Sequence, residues 1–314
     1  MTTLPKYAFF EGEIVPFSEA KVSVMTHTFN YGTGAFGGVR AYWNDDDRQL
    51  YIFRPLDHFK RLLGSAKMLL MSLPYTPEDL TRILVDLLRA ENRHEDMYIR
   101  PLVYKSDPLI GVRLHDLSEQ ITMFAIPFGR YIEQEEGAHV GFSSWRRIDD
   151  NTIPARGKIV GAYANSAFIK TEAMLNGFDD ALVLNEDGHV SEGSAANLFI
   201  VRDGVAITPP ITSNILEGIT RKTIIQLLRD EMDMEVQERE VDKTELYLAE
   251  EAFLCGTGVQ VCAISRVDHR PVGTGVIGPV VKTLRDLYFK LVRGMLPGYE
   301  AWLTPVYEKV SEKA

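Results

Sequence analysis

The chain has 314 residues, 45% of them hydrophobic, which is enough to bury one large core or two ordinary ones. Its 34 lysines and arginines are outnumbered by 44 aspartates and glutamates, and the formal net charge of −10 argues against nucleic acid as a partner. The N-terminus has no basic stretch ahead of a long apolar one, and no segment reaches the roughly 18 apolar residues of a membrane span. We therefore expect a cytoplasmic protein without a membrane partner.

The first half begins with a predicted hairpin, YAFFEGEIVPF, turned at Glu11 and Gly12. The segment RPLDHFKRLLGSAKMLL then shows helical spacing of its apolar residues, which are Leu56, Phe59, Leu62, Leu63, Ala66, Leu69 and Leu70. The next segment, TPEDLTRILVDLLRAENR, predicts a helix that Thr76 caps and in which Pro77 occupies the first turn.

Two strand-like segments, MYIRPLVYK and QITMFAIPF, enclose SDPLIGVRLHDLSE, which has no periodicity and several turn-forming residues. The enclosed segment is predicted to be a loop, and its length makes it a candidate for function. The polar segment 129–136 is predicted to link a smaller N-terminal domain, 1–128, to a larger C-terminal domain, 137–314.

The second half alternates strand-like and helix-like segments. HVGFSSW, DDALVLNEDGHVSEG, NLFIVRDGVAITP, MEVQERE and EAFLCGTG predict strands, with turns at Asp187-Gly188 and Asp203-Gly204. YANSAFIKTEAMLNG, GITRKTIIQLLRDE and VVKTLRDLYFKLVRGM predict helices. The fold class that follows is α/β of the α+β type, without internal repeats.

The two cysteines, Cys255 and Cys262, have a spacing that fits neither a redox C-x-x-C pair nor a zinc knuckle. We predict that they are buried free thiols in a reducing compartment and that the chain has no metal site.

Lys158 lies in NTIPARGKIVGAYANS, between an extended segment and a helix-like one. A lysine becomes a nucleophile only as the free amine, which requires desolvation or a nearby cation, and Arg156 is such a cation if both side chains point the same way. Alone, this pattern is equally typical of a solvated surface lysine.

Three further features suit an anionic ring cofactor. The helix start at Gly218, Ile219 and Thr220 and the glycine turn CGTGVQ can each present backbone N–H groups to a phosphate. Glu192 in HVSEGSAANLF can keep a pyridine nitrogen protonated. Each feature is weak by itself, because ordinary helix starts, turns and strand-end acids look the same.

Together and in this order, NTIPARGKIVGAYANS, VSEGSAANLF, TPPITSNILEGITR and CGTG resemble the fold-type IV pyridoxal-phosphate aminotransferases, and most closely the branched-chain amino-acid aminotransferases. The first half agrees through VMTHTFNYGTGAFGGVRAY, FRPLDHFKRL, YIRP and IPFGRY. The resemblance covers nearly the whole chain. It implies a two-domain fold with pyridoxal 5'-phosphate between the domains.

The resemblance also implies the cofactor site. Lys158 would form the Schiff base and move the proton between the substrate Cα and the cofactor C4′. Glu192 would pair with the pyridine nitrogen, and Tyr163 would hydrogen-bond the phenolic oxygen. The residues implied to hold the phosphate are Arg61, Gly218, Ile219, Thr220 and Thr257.

The substrates implied are leucine, isoleucine and valine with 2-oxoglutarate, in a ping-pong reaction through pyridoxamine phosphate. The implied substrate site comprises Tyr31, Phe36, Arg40, Tyr98, Arg100, Tyr131, Thr257 and Gly258, with Arg40 more an organising residue than a chemical one. Such enzymes are homodimers or larger homo-oligomers, in which the loop around Leu109 to Arg113 reaches the neighbouring active site.

Two departures from the family pattern bear on specificity. The sequence AFGGVR has Gly37 where the family usually has glutamate, and the loop carries an additional cation, Arg113. Arg113 is therefore added to the substrate residues, and an (R)-selective amine transaminase or a dual-specificity enzyme stays an alternative. An aminodeoxychorismate-lyase-like enzyme and a non-catalytic binder of the cofactor are the remaining ones.

Overall fold

The computed structural model describes residues 3–129 and 137–308, which form two compact units. The first unit contains the described residues up to 129, together with 157–161 and those from 290 onwards, and the second contains 137–156 and 162–289. This grouping differs from the predicted domains, because 157–161 and 290–308 belong to the first unit. Most of the predicted link, 130–136, lies outside the described residues, and the domain limits stay a prediction.

The elements follow one another along the chain with these bounds. Residues up to 129 form β1 (Tyr7–Phe10), β2 (Glu13–Pro16), α1 (His27–Tyr31), β3 (Gly34–Phe36), β4 (Val39–Asn44), β5 (Gln49–Phe53), α2 (Pro55–Met68), α3 (Pro77–Glu91), β6 (Met97–Lys105) and β7 (Glu119–Pro127). Residues from 137 form β8 (Ala138–Arg146), α4 (Tyr163–Leu175), β9 (Asp180–Leu184), β10 (Val190–Gly193), β11 (Asn197–Arg202), β12 (Val205–Thr208), α5 (Ile219–Asp230), β13 (Val236–Glu238), β14 (Glu251–Gly256), β15 (Gln260–Val267), β16 (Arg270–Pro271), α6 (Pro279–Val292) and β17 (Leu303–Pro305).

The first unit is built on a sheet with the strand order β17-β5-β4-β6-β7-β1-β2, and β3 pairs with β6 beside β4. Its pairs are antiparallel, including β17 with β5, which explains why the C-terminal residues cluster with this unit. The predicted hairpin at Glu11 and Gly12 is confirmed, and both residues have positive φ. The strands β3, β4 and β5 were not predicted.

The two predicted helices of the first unit are confirmed as α2 and α3. Thr76 caps α3, as predicted. Asp79 caps in return, so the two residues form a reciprocal capping box. The predicted apolar stripe of α2 is wrong at its two ends. Leu56 is 37% exposed, and Leu70 is 61% exposed with φ 53° beyond the helix end at Met68.

The second unit is built on a mixed sheet with the order β10-β9-β8-β15-β14-β11-β12-β13, and β16 pairs with β15. Parallel pairing joins β8 to β9 and to β15, and also β12 to β13, while the other pairs are antiparallel. The fold class predicted from the alternating segments is therefore confirmed, although β15 was not predicted.

Cys255 and Cys262 are both buried and unpaired, as predicted. Burial raises the pKa of each thiol to about 12, so both stay protonated at neutral pH. The reducing compartment stays a prediction. Among the described residues, no helix has both the length and the apolar character needed to span a membrane.

Candidate active site

Lys158 belongs to the first unit, where the short segment 157–161 runs against β3. Its carbonyl oxygen accepts a hydrogen bond from the Phe36 N–H at 3.0 Å, and Ile159 forms an isolated antiparallel bridge with Ala35. The Lys158 Nζ lies 5.1 Å from the centre of the Phe36 ring. The strand that carries Phe36 therefore fixes where the lysine stands.

Three predicted substrate residues, Phe36, Tyr98 and Arg100, lie together near Lys158. The Arg100 guanidinium lies 4.5 Å from the centre of the Phe36 ring and donates to the Tyr98 hydroxyl oxygen at 2.9 and 3.2 Å. Lys158 and Arg100 thus share the electron-rich Phe36 ring, an arrangement that stabilises cations. The group combines an aromatic surface with two positive charges, which suits a ligand that has an apolar part and carboxylates.

Arg61 lies half-buried on α2, near the fully buried His58. The pKa of His58 is held well below its ordinary value, by burial first and then by the positive charges of Arg61, Arg54 and Lys158. His58 is therefore neutral at physiological pH. The cations around it give this part of the first unit a positive potential that suits a phosphate dianion.

Arg40 is 2% exposed, and its guanidinium binds backbone carbonyl groups. Its guanidinium donates to the carbonyl oxygens of Phe128 and Gly129 at 3.1 and 2.8 Å, and it lies 4.9 Å from the centre of the Phe128 ring. These contacts hold the end of β7. They agree with an organising role for Arg40, whereas contact with substrate stays a prediction.

Tyr31 and the predicted loop are joined at Gly111. The Tyr31 hydroxyl accepts the Gly111 N–H at 3.2 Å, and the buried ring of His27 hydrogen-bonds the Gly111 carbonyl at 2.8 Å through Nε2 and the Thr33 hydroxyl at 2.7 Å through Nδ1. Sequence reasoning missed His27, although THTFNYG holds it four residues before Tyr31. Arg113 is exposed on this loop.

Gly37, the departure from the family pattern, has a local structural reason. A Cβ at Gly37 would lie 2.7 Å from the Pro101 Cγ, and its N–H donates to the Pro101 carbonyl at 2.8 Å. A Cβ at Gly38 would lie 2.6 Å from the Tyr98 hydroxyl. Both glycines let this stretch approach β6 closely, next to Tyr98 and Arg100.

Glu192 lies in the second unit, on β10, and is 3% exposed. Its Oε1 pairs with Arg147 at 2.9 Å, and its Oε2 accepts hydrogen bonds from Asn197 Nδ2 at 2.9 Å and the Leu216 N–H at 3.2 Å. A buried carboxylate with a cation and two donors is stabilised as the anion. Arg147 and Asn197 were missed, because their link to Glu192 arises only from the folded strands.

The predicted phosphate residues of the second unit lie at the first turn of α5. Gly218 is the N-cap and makes no side-chain cap, while Ile219 and Thr220 are buried. The first N–H groups of a helix have no intrahelical acceptor, and the helix dipole favours an anion there. This helix start is therefore suited to a phosphate.

Replacing Gly218 by alanine is expected to destabilise the protein by about 1–3 kcal/mol. The added Cβ would lie 2.0 Å from the Asn197 Oδ1, so Asn197 would be pushed from Glu192. The free energy of unfolding in denaturant measures this effect. Gly64→Ala is the control, since a Cβ at Gly64 meets nothing within 4 Å, and an equal loss in both variants would contradict the explanation.

The remaining predicted residues have these positions. Tyr163 begins α4, and Thr257 and Gly258 form the turn between β14 and β15. Arg156 forms ion pairs with Asp150 at 3.7 Å and Glu217 at 3.4 Å, which offset the charge expected to act on Lys158. Tyr131 lies outside the described residues.

The predicted site residues thus fall into two groups. The first unit brings together Phe36, Tyr98, Arg100 and Lys158, and it also carries Tyr31, Arg40, Arg61 and Arg113. The second unit carries Tyr163, Glu192, Gly218, Ile219, Thr220, Thr257 and Gly258.

A separate cluster of metal-ligand residues in the second unit consists of Asp187, His189 and Glu240. The ring nitrogens of His189 face carboxylates, with Nδ1 3.1 Å from Asp187 and Nε2 3.6 Å from Glu240 and 3.8 Å from Asp242. These carboxylates, Asp187 above all, raise the pKa of His189. The cluster therefore suits an imidazolium ion.

His189 is expected to stabilise the fold more at low pH than at high pH. Since its pKa is raised on folding, its contribution is present below the ordinary value near about 6.5 and is lost as the pH rises through the folded value. The difference in unfolding free energy between wild type and His189→Gln should shrink as the pH rises above the ordinary histidine pKa. A difference that grows with pH would contradict the expected role of His189. The control is His115→Gln, because His115 is exposed.

Comparison with known proteins identifies relatives over nearly the whole length. Residues 34–267 match the family model described as amino-transferase class IV. A protein named probable branched-chain-amino-acid aminotransferase from Aquifex aeolicus (strain VF5) is 48% identical over 303 residues, 96% of this chain and 97% of the relative.

Two solved structures resemble the fold closely. The branched-chain amino acid aminotransferase from Thermobaculum terrenum, in its PLP form, has a TM-score of 0.93 and 39% identity, covering 97% of this chain and 99% of that one. The branched-chain aminotransferase from the thermophilic archaeon Thermoproteus uzoniensis, solved with norvaline, has a TM-score of 0.92 and 40% identity, covering 96% of this chain and 100% of that one.

Proposed function

This chain belongs to the class IV amino-transferase family, and we propose from that premise that it is a branched-chain-amino-acid aminotransferase that uses pyridoxal 5'-phosphate. The observation that carries the proposal is the grouping of Lys158 and Arg100 on the Phe36 ring. An amine for the chemistry, a guanidinium for a carboxylate and an aromatic surface for an aliphatic chain then lie in one place.

The residues of each unit fit this cofactor. Gly218 precedes the first turn of α5 as its N-cap, where there is no space for a Cβ and the helix start favours an anion. The buried carboxylate of Glu192 is held in place by Arg147 and Asn197, as a partner for a protonated ring nitrogen must be. The positive surroundings of His58 match the charge of a phosphate.

When bound, pyridoxal phosphate supplies an aldehyde that captures an amino group and a ring that delocalises the charge left at the substrate Cα. In this proposal Lys158 anchors the cofactor and moves the proton between the substrate Cα and C4′. Glu192 keeps the ring nitrogen protonated, and Tyr163 donates to the phenolic oxygen. Arg61, Gly218, Ile219, Thr220 and Thr257 hold the phosphate.

The amino donors in this proposal are leucine, isoleucine and valine, and the acceptor is 2-oxoglutarate. Both bind one pocket in turn, so Arg100 and Tyr98 meet the second carboxylate of the acid while Phe36 packs against the aliphatic chain. Steady-state kinetics tests this order, because parallel double-reciprocal lines for leucine and 2-oxoglutarate are expected. Intersecting lines would reject the ping-pong order.

A broader specificity for (R)-amines is the second candidate. Arg113 is exposed on the loop tied to Tyr31 through Gly111, where it can receive the carboxylate of a keto acid, and Gly37 replaces an expected carboxylate.

We further propose a homodimer or larger homo-oligomer. Large apolar side chains are exposed on the segment before β3 and on the loop 106–118, among them Val24 at 77%, Phe29 at 72% and Val112 at 88%. A second copy of the chain would cover this surface. The cytoplasmic location stays a prediction from the sequence.

A further inference from the structure

Ser65 is a buried serine in α2 whose hydroxyl makes two hydrogen bonds. It donates to the Arg61 carbonyl oxygen at 2.9 Å and accepts the Lys158 N–H at 3.2 Å, and the residue is 1% exposed. A hydroxyl can donate and accept at once, so one atom links the turn of α2 that carries Arg61 to the backbone of Lys158.

The bond to Ser65 completes the fixation of Lys158. The peptide group after the lysine is held by the Phe36 N–H at 3.0 Å, and farther along Gly161 donates to the Gly32 carbonyl at 3.2 Å. Ser65 holds the peptide group before the lysine. Both peptide groups that flank Lys158 are therefore bound to elements of the first unit, although Lys158 itself lies in no helix or strand.

Of the two hydrogen bonds of Ser65, only the bond to the Arg61 carbonyl oxygen belongs to the helix, and the bond to Lys158 is additional. Serine and threonine in helices often donate to the carbonyl four residues earlier, and Thr81 does so in α3, with Pro77 as acceptor at 2.8 Å. Thr81 makes the same local bond as Ser65 without the bond to Lys158. It is therefore the matched control for the helix-internal part of the interaction.

We propose that Ser65 is a positioning residue for Lys158, whose backbone it ties to the helical turn of Arg61. The proposal rests on the role proposed above for Lys158 and extends it to the residue that holds the lysine in place. Small displacements of a reacting group lower rates strongly, so a looser backbone slows proton transfer more than it weakens substrate binding.

The test compares the holoenzymes of wild type, Ser65→Ala, Ser65→Cys and Thr81→Ala. Hydrogen exchange of peptides covering 157–161 reports the Ser65 bond itself, in the apo and holo forms alike. The pH titration of the cofactor's visible absorbance reports the surroundings of the Lys158 amine. Steady-state kinetics with leucine separates kcat from KM.

In Ser65→Ala we expect amide exchange at 157–161 to rise about tenfold, the absorbance titration to move, and kcat to fall about ten- to a hundredfold with KM changed less than about twofold. Ser65→Cys retains the volume with a weaker donor and acceptor, so intermediate values are expected, and it carries the test if Ser65→Ala does not fold. Thr81→Ala should match wild type in all three.

Unchanged exchange at 157–161 in both Ser65 variants would overturn the proposal, as would effects equal to those of Thr81→Ala. If wild type bound no cofactor or did not turn over leucine, the proposed function would fail instead. The exchange measurement on the apo form would still decide whether Ser65 holds the backbone of Lys158.

Discussion

Replacing Lys158 by alanine is expected to lower transamination turnover at least about a thousandfold, because general acid-base catalysis by a positioned group contributes about 10²–10⁴-fold and the anchoring bond to the cofactor is lost as well. The protein should still fold, since the anchors of the segment are the backbone N–H and carbonyl groups of Lys158, which alanine retains. Borohydride reduction of the wild type followed by peptide mass spectrometry should find the cofactor on Lys158.

Lys243→Ala is the control for the loss of a lysine, because Lys243 pairs with Asp268 at 3.4 Å in the second unit. It should keep wild-type turnover. Full turnover by Lys158→Ala would remove the lysine from the chemistry and would contradict the role proposed for it.

Replacing Glu192 by glutamine is expected to leave the cofactor bound but to slow turnover by about two orders of magnitude or more. Glutamine cannot keep the ring nitrogen protonated, so the charge that develops on proton removal loses its sink. Stability should fall too, because Arg147 would keep its charge at 14% side-chain exposure without its partner. Stopped-flow rates with leucine, combined with cofactor content, separate binding from catalysis.

Glu245→Gln is the control for the loss of a charge paired to arginines. Glu245 pairs with Arg202 at 3.0 Å and Arg239 at 2.8 Å, and these contacts help to lower its pKa to about 2. This variant should lose stability and keep turnover per folded molecule. Near-normal turnover in Glu192→Gln would contradict the role given to Glu192.

Much of the fold could be predicted from local patterns. The capped helix α3 and the hairpin at Glu11 and Gly12 have strong local signals, and the structure has both. The strands β3 and β4 were not predicted, because the glycines Gly34, Gly37 and Gly38 interrupt the pattern of apolar residues there. Their pairing with β6 depends on the absence of Cβ atoms at Gly37 and Gly38.

The site was predicted through a resemblance more than through local chemistry. Lys158 and Glu192 are individually ordinary in the sequence, and only their order among other motifs distinguished them. The residues that hold them were not predicted. Ser65 and Arg147 reach their partners across 93 and 45 positions of the chain, and a local pattern cannot contain such contacts.

For Arg156, closeness in sequence was misleading. Its place two residues before Lys158 suggested a cation acting on the lysine, but its charge is offset by Asp150 and Glu217. The described cation that shares the Phe36 ring with Lys158 is instead Arg100, which lies far away in sequence.

The most direct test of the account is a single half-reaction of the purified holoenzyme. The visible absorbance of the bound cofactor is followed after adding L-leucine to one sample and (R)-1-phenylethylamine to another, without a keto acid. We expect leucine to bleach the absorbance far faster. Faster bleaching by the amine would contradict it and would show that the pocket around Gly37 and Arg113 serves (R)-amines.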